Sequence, residues 1–333
     1  MIKGKKISFS AIQPSGNITL GNYMGALRRW PTFQGDYDCI YCVVDEHAIT
    51  VRQNPADLRH HSLELFAQLI ACGIDPERSI LFIQSFVPAH AELAWVLNCF
   101  TMFGELNRMT QFKEKSLSHA DNINAGLFTY PTLMAADILL YQADVVPVGE
   151  DQRQHVELCR DIAIRFNGVY GDVFTVPEAE IPKTAGRVMS LQEPEKKMSK
   201  SSDNENSYIL VMDSPDVIMR KFKRAVTDSQ AEVRYDPEQK PGVSNLMDIY
   251  AGATGLSMEE IRRQFEGKGY GEFKTAVGEA TVELLRPVRE NTLRLMADKG
   301  ELERLMKTGA EKAAAVSSYT MNKVRKKVGF LPR

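Results

Sequence analysis

Lys197-Met198-Ser199-Lys200-Ser201 sets two lysines around a short, hydroxyl-bearing segment, and these are the residues best suited to chemistry on a polyphosphate. Charge builds on phosphate oxygens as a bond to phosphorus breaks, and two ammonium groups on a mobile Ser-rich segment can close over it. A lysine-rich run is, taken alone, equally a solvated loop. A second stretch gives it a partner. Gln13-Pro14-Ser15-Gly16 and Thr19-Leu20-Gly21-Asn22 follow an alternating strand, Ile7, Phe9, Ala11, and open a helix with apolar positions Leu20, Met24, Leu27 and Trp30 that Pro31 should stop. Unpaired N–H groups at a helix start favour anions, Gly21 leaves room for a nucleotide, and Asn22 offers an amide donor. No G-x-x-x-x-G-K-[ST] loop occurs, so phosphate must be gripped by other means.

Asp137 is the third candidate, because it stands alone in the apolar run from Leu133 to Leu140, where an unpaired carboxylate is costly. It must have a partner, either a core or helix-end contact or a donor on a ligand. Cys39 and Cys42 form a C-x-x-C, but they lie on a buried strand, where residues three apart point to opposite faces, and no second pair completes a zinc site. No metal ligand set is expected from protein side chains.

The elements that must position these residues alternate. Strand-like runs at 7–12, 38–44, 80–84 and 145–148 are separated by periodic helices, the pattern of an α/β doubly wound parallel sheet. One such helix starts at Asn54 with Pro55 in its first turn, carries Leu58, Leu65, Phe66 and Leu69, ends before Gly73, and should cover one sheet face. From Asp213 the chain turns to amphipathic helices, expected at 216–226, 246–253, 258–265 and 276–297, which read as a smaller helical domain. The segment 89–103 leaves almost no polar face, so it is either deep core or a subunit interface.

Bulk composition narrows the classes. With 44% hydrophobic and 25% charged residues the chain is an ordinary globular protein rather than a disordered one. A formal charge of −2 means that any nucleic-acid contact must come from a local basic face. No run of about eighteen apolar residues occurs, nor the apolar core of a signal peptide, so no membrane association and a cytoplasmic location are expected. Five cysteines, four of them in apolar segments, suit reduced thiols better than disulfides.

The pairing of Thr19-Leu20-Gly21-Asn22 with Lys197 to Ser201 resembles the two signature elements of class I aminoacyl-tRNA synthetases. Asp45-Glu46-His47-Ala48-Ile49-Thr50, Tyr130-Pro131 through Tyr141, and Val146-Pro147-Val148-Gly149-Glu150-Asp151-Gln152 are similar to the bacterial tryptophan branch of that family, and the likeness runs over nearly the whole chain. Thr19 and Asn22 stand where many class I enzymes have His, and Glu46 replaces a more familiar Gln.

The resemblance implies a Rossmann-like nucleotide-binding domain over 1–195, a mobile loop over 196–205, a helical anticodon-recognition domain over 206–298, and a C-terminal helix over 299–333 packing back on the first domain. It implies activation of L-tryptophan by ATP with Mg²⁺, then transfer to the 2′-hydroxyl at the 3′ end of tRNA(Trp), by a homodimer. Lys197 and Lys200 would stabilise the displaced phosphate oxygens, with Asn22 and Lys115 assisting; the stretch around Lys115 is equally a solvated basic loop. Gln13, Pro14, Ser15, Gly21, Asn22, Met198, Ser199 and Ser201 would surround ATP, Gly149, Glu150 and Asp151 its ribose, and Val188 and Met198 its adenine. An indole N–H only donates, so Asp137 would accept it, while Phe9, Tyr130, Met134, Val146 and Val148 form flat apolar walls. His47 and Gln152 would orient the amino-acid head. The basic clusters at 220–224 and 323–327 read either as solvated helix faces or as RNA contacts. Alternative readings are a tyrosine-specific relative, a small-metabolite nucleotidyltransferase, and a non-catalytic paralogue.

Overall fold

The computed structural model describes residues 4–16, 18–112, 123–181, 187–200 and 202–332. Lys115 and Ser201 lie outside the described residues. Five strands, β1 (Ile7–Ile12), β2 (Asp38–Val43), β3 (Ile80–Ile83), β4 (Val145–Pro147) and β5 (Glu178–Glu180), form one parallel sheet in the order β3-β2-β1-β4-β5. Chain order reverses direction between β1 and β4, so the crevice outside their carboxyl ends is where such a sheet receives a ligand. Gln13 leaves the end of β1 and Val148-Gly149 the end of β4, on the two sides of that crevice.

A parallel sheet is covered on both faces, which is why β2 reads as a continuous apolar run. Cys39, Tyr41, Val43, Leu81 and Ile83 enter one core, and Ile40, Cys42 and Phe82 enter the other. Cys39 and Cys42 therefore face opposite sides, and burial pushes both thiols up. Helix α4 (Pro55–Ala71) lies on the first face, capped by Asn54, whose side chain accepts from the Ala56 N–H at 2.8 Å. Against it packs the helical part of the chain, α9 (Pro215–Lys223), α10 (Pro241–Thr254), α11 (Met258–Gln264) and α12 (Tyr270–Ala297). The second face carries α5 (Ala89–Asn98), α7 (Ala125–Leu139) and α8 (Arg153–Tyr170).

Several local expectations need correction. The single helix expected after Thr19 is three pieces: α1 (Leu20–Gly25), a 3₁₀ turn (Leu27–Arg29) and α2 (Trp30–Phe33). Ala26 leaves the helical region, with φ −134°, and Pro31 falls in the first turn of α2, where its missing N–H costs nothing, so it starts a helix rather than stopping one. Strand β5 was not expected; it is short, carries two glutamates, and pairs only with β4 at the sheet edge. The segment 89–103 is broken into α5 and α6 (Phe103–Asn107), and it is not buried all round: Trp95 is 71% and Phe103 74% exposed, while Leu93, Val96 and Leu97 are buried.

Helix α13 (Lys299–Val328) crosses from one face to the other over β3, contributing Met306 to the first core and Ala313, Met321 and Val324 to the second. Arg325 clasps Glu92 of α5 with both ends of its guanidinium, at 2.7 and 2.5 Å. The closest approach is at Gly309, where an added Cβ would lie 1.8 Å from the Leu81 carbonyl oxygen. Backbone meets backbone there, so no side chain can swing aside. Gly309→Ala should therefore lower stability by about 1–3 kcal/mol through enforced displacement of α13. The same change at Gly300, where a Cβ has room, should be near neutral. Urea midpoints of the two variants measure the difference.

Candidate functional site

Local sequence builds the nucleotide end of the crevice. Thr19 and Asn22 cap one another: the Asn22 N–H donates to Thr19 Oγ1 at 3.1 Å, and the Thr19 N–H to Asn22 Oδ1 at 3.3 Å. Leu20 N–H donates to the Ile209 carbonyl at 2.8 Å, so three of the first amides of α1, those of Leu20, Asn22 and Tyr23, are already bonded within the protein. The helix start is thus less open to an anion than its sequence suggested, and the Asn22 Oδ1 is committed to the cap while its amide remains a donor.

Lys200 is the more direct feature. Its Nζ reaches back to the turn after β1, donating to the Ser15 carbonyl and to Ser15 Oγ at 3.0 Å. Among the described residues no carboxylate pairs with it, and burial pushes its ammonium below the usual lysine range. A half-buried cation held only by neutral oxygens is poised for an anion. Gln13, Ser15, Gly16, Thr19 and Asn22 on one side, and Lys197, Met198, Ser199 and Lys200 on the other, line a single cleft of about 320 Å³. None of the described residues lining it is a carboxylate.

The flank of the clamp is fixed by pairing. Met198 N–H donates to the Val188 carbonyl at 3.1 Å, Met189 bridges Lys197, and Met198 and Val188 are buried. Both lie against Gly21, whose missing Cβ would sit 3.6 Å from each of their Cβ atoms. The two residues expected near adenine, Val188 and Met198, therefore meet the glycine expected to leave room for a nucleotide. Asn245 of α10 holds this flank from behind, accepting from Met189 N–H at 2.8 Å and donating to its carbonyl at 3.0 Å.

The second half of the site is dry. Asp137 is 1% exposed, yet burial, which raises a carboxyl, is outweighed by the charge and hydrogen bond of His47 and then by the hydrogen bond of His90, so its pKa is lowered. Its Oδ2 lies 2.7 Å from His47 Nε2, and its Oδ1 lies 2.7 Å from Gln84 Nε2 and 2.6 Å from His90 Nδ1. The edge of Tyr130 meets the His47 ring, and the Tyr130 hydroxyl lies 2.9 Å from His155 Nε2 and donates to Gln111 Oε1 at 3.1 Å. Phe9 stacks on Tyr141 with centroids 5.8 Å apart, and Val146 is buried in the same core. Met134 and Val148 are partly buried against that core.

Gly149, Glu150 and Asp151 follow β4 in an exposed 3₁₀ turn (Glu150–Gln152). A Cβ on Gly149 would strike the Asp151 carboxylate at 2.6 Å, so glycine lets that side chain fold over the turn. Gln152 donates to Asp151 Oδ2 at 2.9 Å, and Glu150 pairs with Arg153. Pro14 is buried beneath the turn it opens. Sequence reasoning missed Gln84, His90 and Asn245. Gln84 and His90 had a signal, since each is a polar residue in a strongly apolar stretch, the same logic that singled out Asp137. The basic clusters are only partly free: Lys221 is buried against Asp213 at 2.7 Å, and Lys323 donates to the Asp172 carbonyl at 2.6 Å, while Arg220, Lys223 and Arg224 are exposed.

The family model for tRNA synthetases class I (W and Y) matches residues 3–286. The chain is 56% identical over 331 residues to a tryptophan–tRNA ligase of Clostridium tetani, covering 99% of this chain and 98% of that protein. It is 55% identical over 329 residues to the tryptophan–tRNA ligase of Clostridium perfringens, covering 99% of each. Among solved structures, tryptophanyl-tRNA synthetase of Mycoplasma pneumoniae superposes with a TM-score of 0.88 at 34% identity, covering 98% of both chains. The Campylobacter jejuni enzyme, determined with ADP and tryptophan, superposes with a TM-score of 0.86 at 34% identity, covering 97% of this chain and 100% of that one. Lengthwise identity of this order, on a crevice whose two distant motifs meet, leaves one conclusion: the chain belongs to the class I tRNA synthetases of the tryptophan and tyrosine group.

Proposed function

We propose that this chain is a tryptophan–tRNA ligase that activates L-tryptophan with ATP and passes it to the 3′ end of tRNA(Trp). The observation that carries the mechanism is the contact of Lys200 with Ser15, which brings two sequence-distant motifs to one cleft. The tryptophan carboxylate attacks the α-phosphorus of ATP, the adenylate forms, and pyrophosphate leaves. Alignment and charge stabilisation suffice, with no covalent enzyme intermediate. Lys200 and Lys197 face the leaving phosphates together with Gln13, Ser15, Ser199 and the Asn22 amide, and Gly21, Val188 and Met198 hold the adenine. Gly149, Glu150 and Asp151 receive the ribose across the crevice.

Mg²⁺ enters with the nucleotide. A cleft whose described lining is lysines and neutral oxygens, with no carboxylate among the described residues, suits an ion carried by the phosphates and water rather than by the protein. Tryptophan lies in the dry half, its indole N–H on Asp137 and its ring between walls that include Phe9, Tyr130, Met134, Val146 and Val148; His47 borders the indole, and Gln152 the amino-acid head. We assign the helical region 206–298 to anticodon recognition, with exposed Arg220, Lys223 and Arg224 as its phosphate contacts. Exposed Trp95 and Phe103 form the apolar face of a homodimer; Phe100, expected there, packs inward on Phe166 and Tyr170.

Amino-acid-dependent ATP–pyrophosphate exchange across the twenty amino acids tests the assignment, and a response to tryptophan alone is expected. Lys200→Ala should slow single-turnover adenylate formation by about 10²–10³, the usual cost of one transition-state donor, with tryptophan affinity nearly intact. A loss confined to tryptophan Kd would remove the clamp role. Asp137→Ala should weaken use of tryptophan more than that of an isostere lacking the indole N–H, by about 1.5–3 kcal/mol. Equal losses for both would make Asp137 structural only. Trp95→Glu with Phe103→Glu should give folded monomers by sedimentation and circular dichroism, since charges cannot be desolvated in an apolar contact.

A further inference from the structure

Asp137 offers two oxygens with about four acceptor positions, and the protein fills three of them unevenly. Oδ1 takes two donors, Gln84 at 2.7 Å and His90 at 2.6 Å, while Oδ2 takes one, His47 at 2.7 Å. Gln84 and His90 are fully buried, whereas the His47 side chain is 12% exposed, the wettest of the three. The open acceptor position is thus on Oδ2, on the side where the cluster approaches solvent.

The tautomer of His90 follows from its neighbours. An ionised carboxylate only accepts, so His90 Nδ1 carries a proton. The Tyr141 hydroxyl lies 2.8 Å from His90 Nε2 in a fully buried position, and a buried O–H needs an acceptor. Tyr141 therefore donates to Nε2, which leaves His90 neutral with its only proton aimed at Oδ1. Phe82 and Tyr141 pack on the imidazole with centroids 5.6 and 5.5 Å away and deny it rotation.

We infer that His90, set by Tyr141, is a specificity-determining positioning residue: with Gln84 it saturates Oδ1 of Asp137, so that a substrate N–H is read only at Oδ2, beside His47. This rests on the reading of Asp137 as the indole acceptor. Without the donor from His90 the carboxylate can rotate or bind water at Oδ1, and it loses its preference for a ligand that brings a donor. The role is one of aim rather than chemistry, since His90 acts through the Asp137 carboxylate.

The test is the ratio of kcat/KM for tryptophan to that for 3-benzothienylalanine, which has the ring shape without the N–H, in pyrophosphate exchange. His90→Phe should lower this ratio about tenfold, whereas His90→Asn, whose amide places a donor near the former Nδ1, should restore most of it. Tyr141→Phe, which removes one oxygen and little volume, should lower the ratio about threefold and serves if His90→Phe does not fold. Folded variants in which both substrates lose equally, leaving the ratio unchanged, overturn the inference. Asp137→Ala separates the two levels. If it abolishes the discrimination while the His90 and Tyr141 variants keep it, the acceptor stands and the positioning role fails; if it too keeps the discrimination, the acceptor reading itself fails.

Discussion

A negative charge placed almost entirely out of water is the constraint around which the catalytic half of this protein is arranged. A lone carboxylate in such a place would neutralise itself, and removal of one partner from a buried charge cluster typically costs several kcal/mol. Asp137, on α7, stays ionised because three other elements converge on it: the short helix α3 (Asp45–Ala48) after β2 through His47, the 3₁₀ turn after β3 through Gln84, and α5 through His90. Each of those donors sits where its strand or helix must pack anyway. The register of β2 against β3, with Val43 opposite Ile83, brings the His47 and Gln84 ends level.

The two halves of the crevice obey opposite electrostatic rules. Around Asp137 three of about four acceptor positions are filled in advance, and the site is rigid because its polar network is nearly complete. Around Lys200 no carboxylate among the described residues pairs with the charge, which is held by two oxygens of Ser15 that an incoming phosphate can replace. In the reaction we propose, selection of a side chain would use the first arrangement and transfer of a phosphoryl-linked group the second. Asn245 ties the Lys200 half to the helical region, since its two hydrogen bonds to Met189 fasten the flank of the lysine segment to α10.

Sequence alone carried the sheet far because parallel strands buried on both faces leave long apolar runs, as at 38–43 and 80–83. It failed at β5, where an edge strand of three residues needs no apolar pattern, and at the chain after Thr19, where proline in a first turn has the same letter as proline at a stop. That the lysine segment and the upstream glycine turn meet was legible, because two lysines at that spacing with such a turn far upstream form a pattern, and Lys200 does contact Ser15. Asp137 was legible as an anomaly of polarity, but the identity of its partners was not: Gln84, His47 and His90 come from separate segments, and only the folded sheet places them together. Trp95 illustrates the converse. Its apolar run left deep core and a subunit interface both open, and α5 turns Leu93, Val96 and Leu97 inward while Trp95 stays exposed on this chain, which removes the deep-core reading.

The placement of α13 over β3 has a consequence for how the molecule is made. Lys312 donates to the Pro76 carbonyl across 236 positions of sequence, and Gly309 rests on Leu81 at similar separation. At ribosomal rates of about 5–20 residues per second, β3 waits on the order of ten seconds or longer for the helix that covers it. During that interval β1, β2 and β3 can pair, but an apolar margin around Leu81 and Phe82 stays open to water and to other nascent chains. The sheet's earliest strands are thus completed by one of its latest helices, which places the folding of this enzyme in the hands of whatever shields that margin on a crowded polysome.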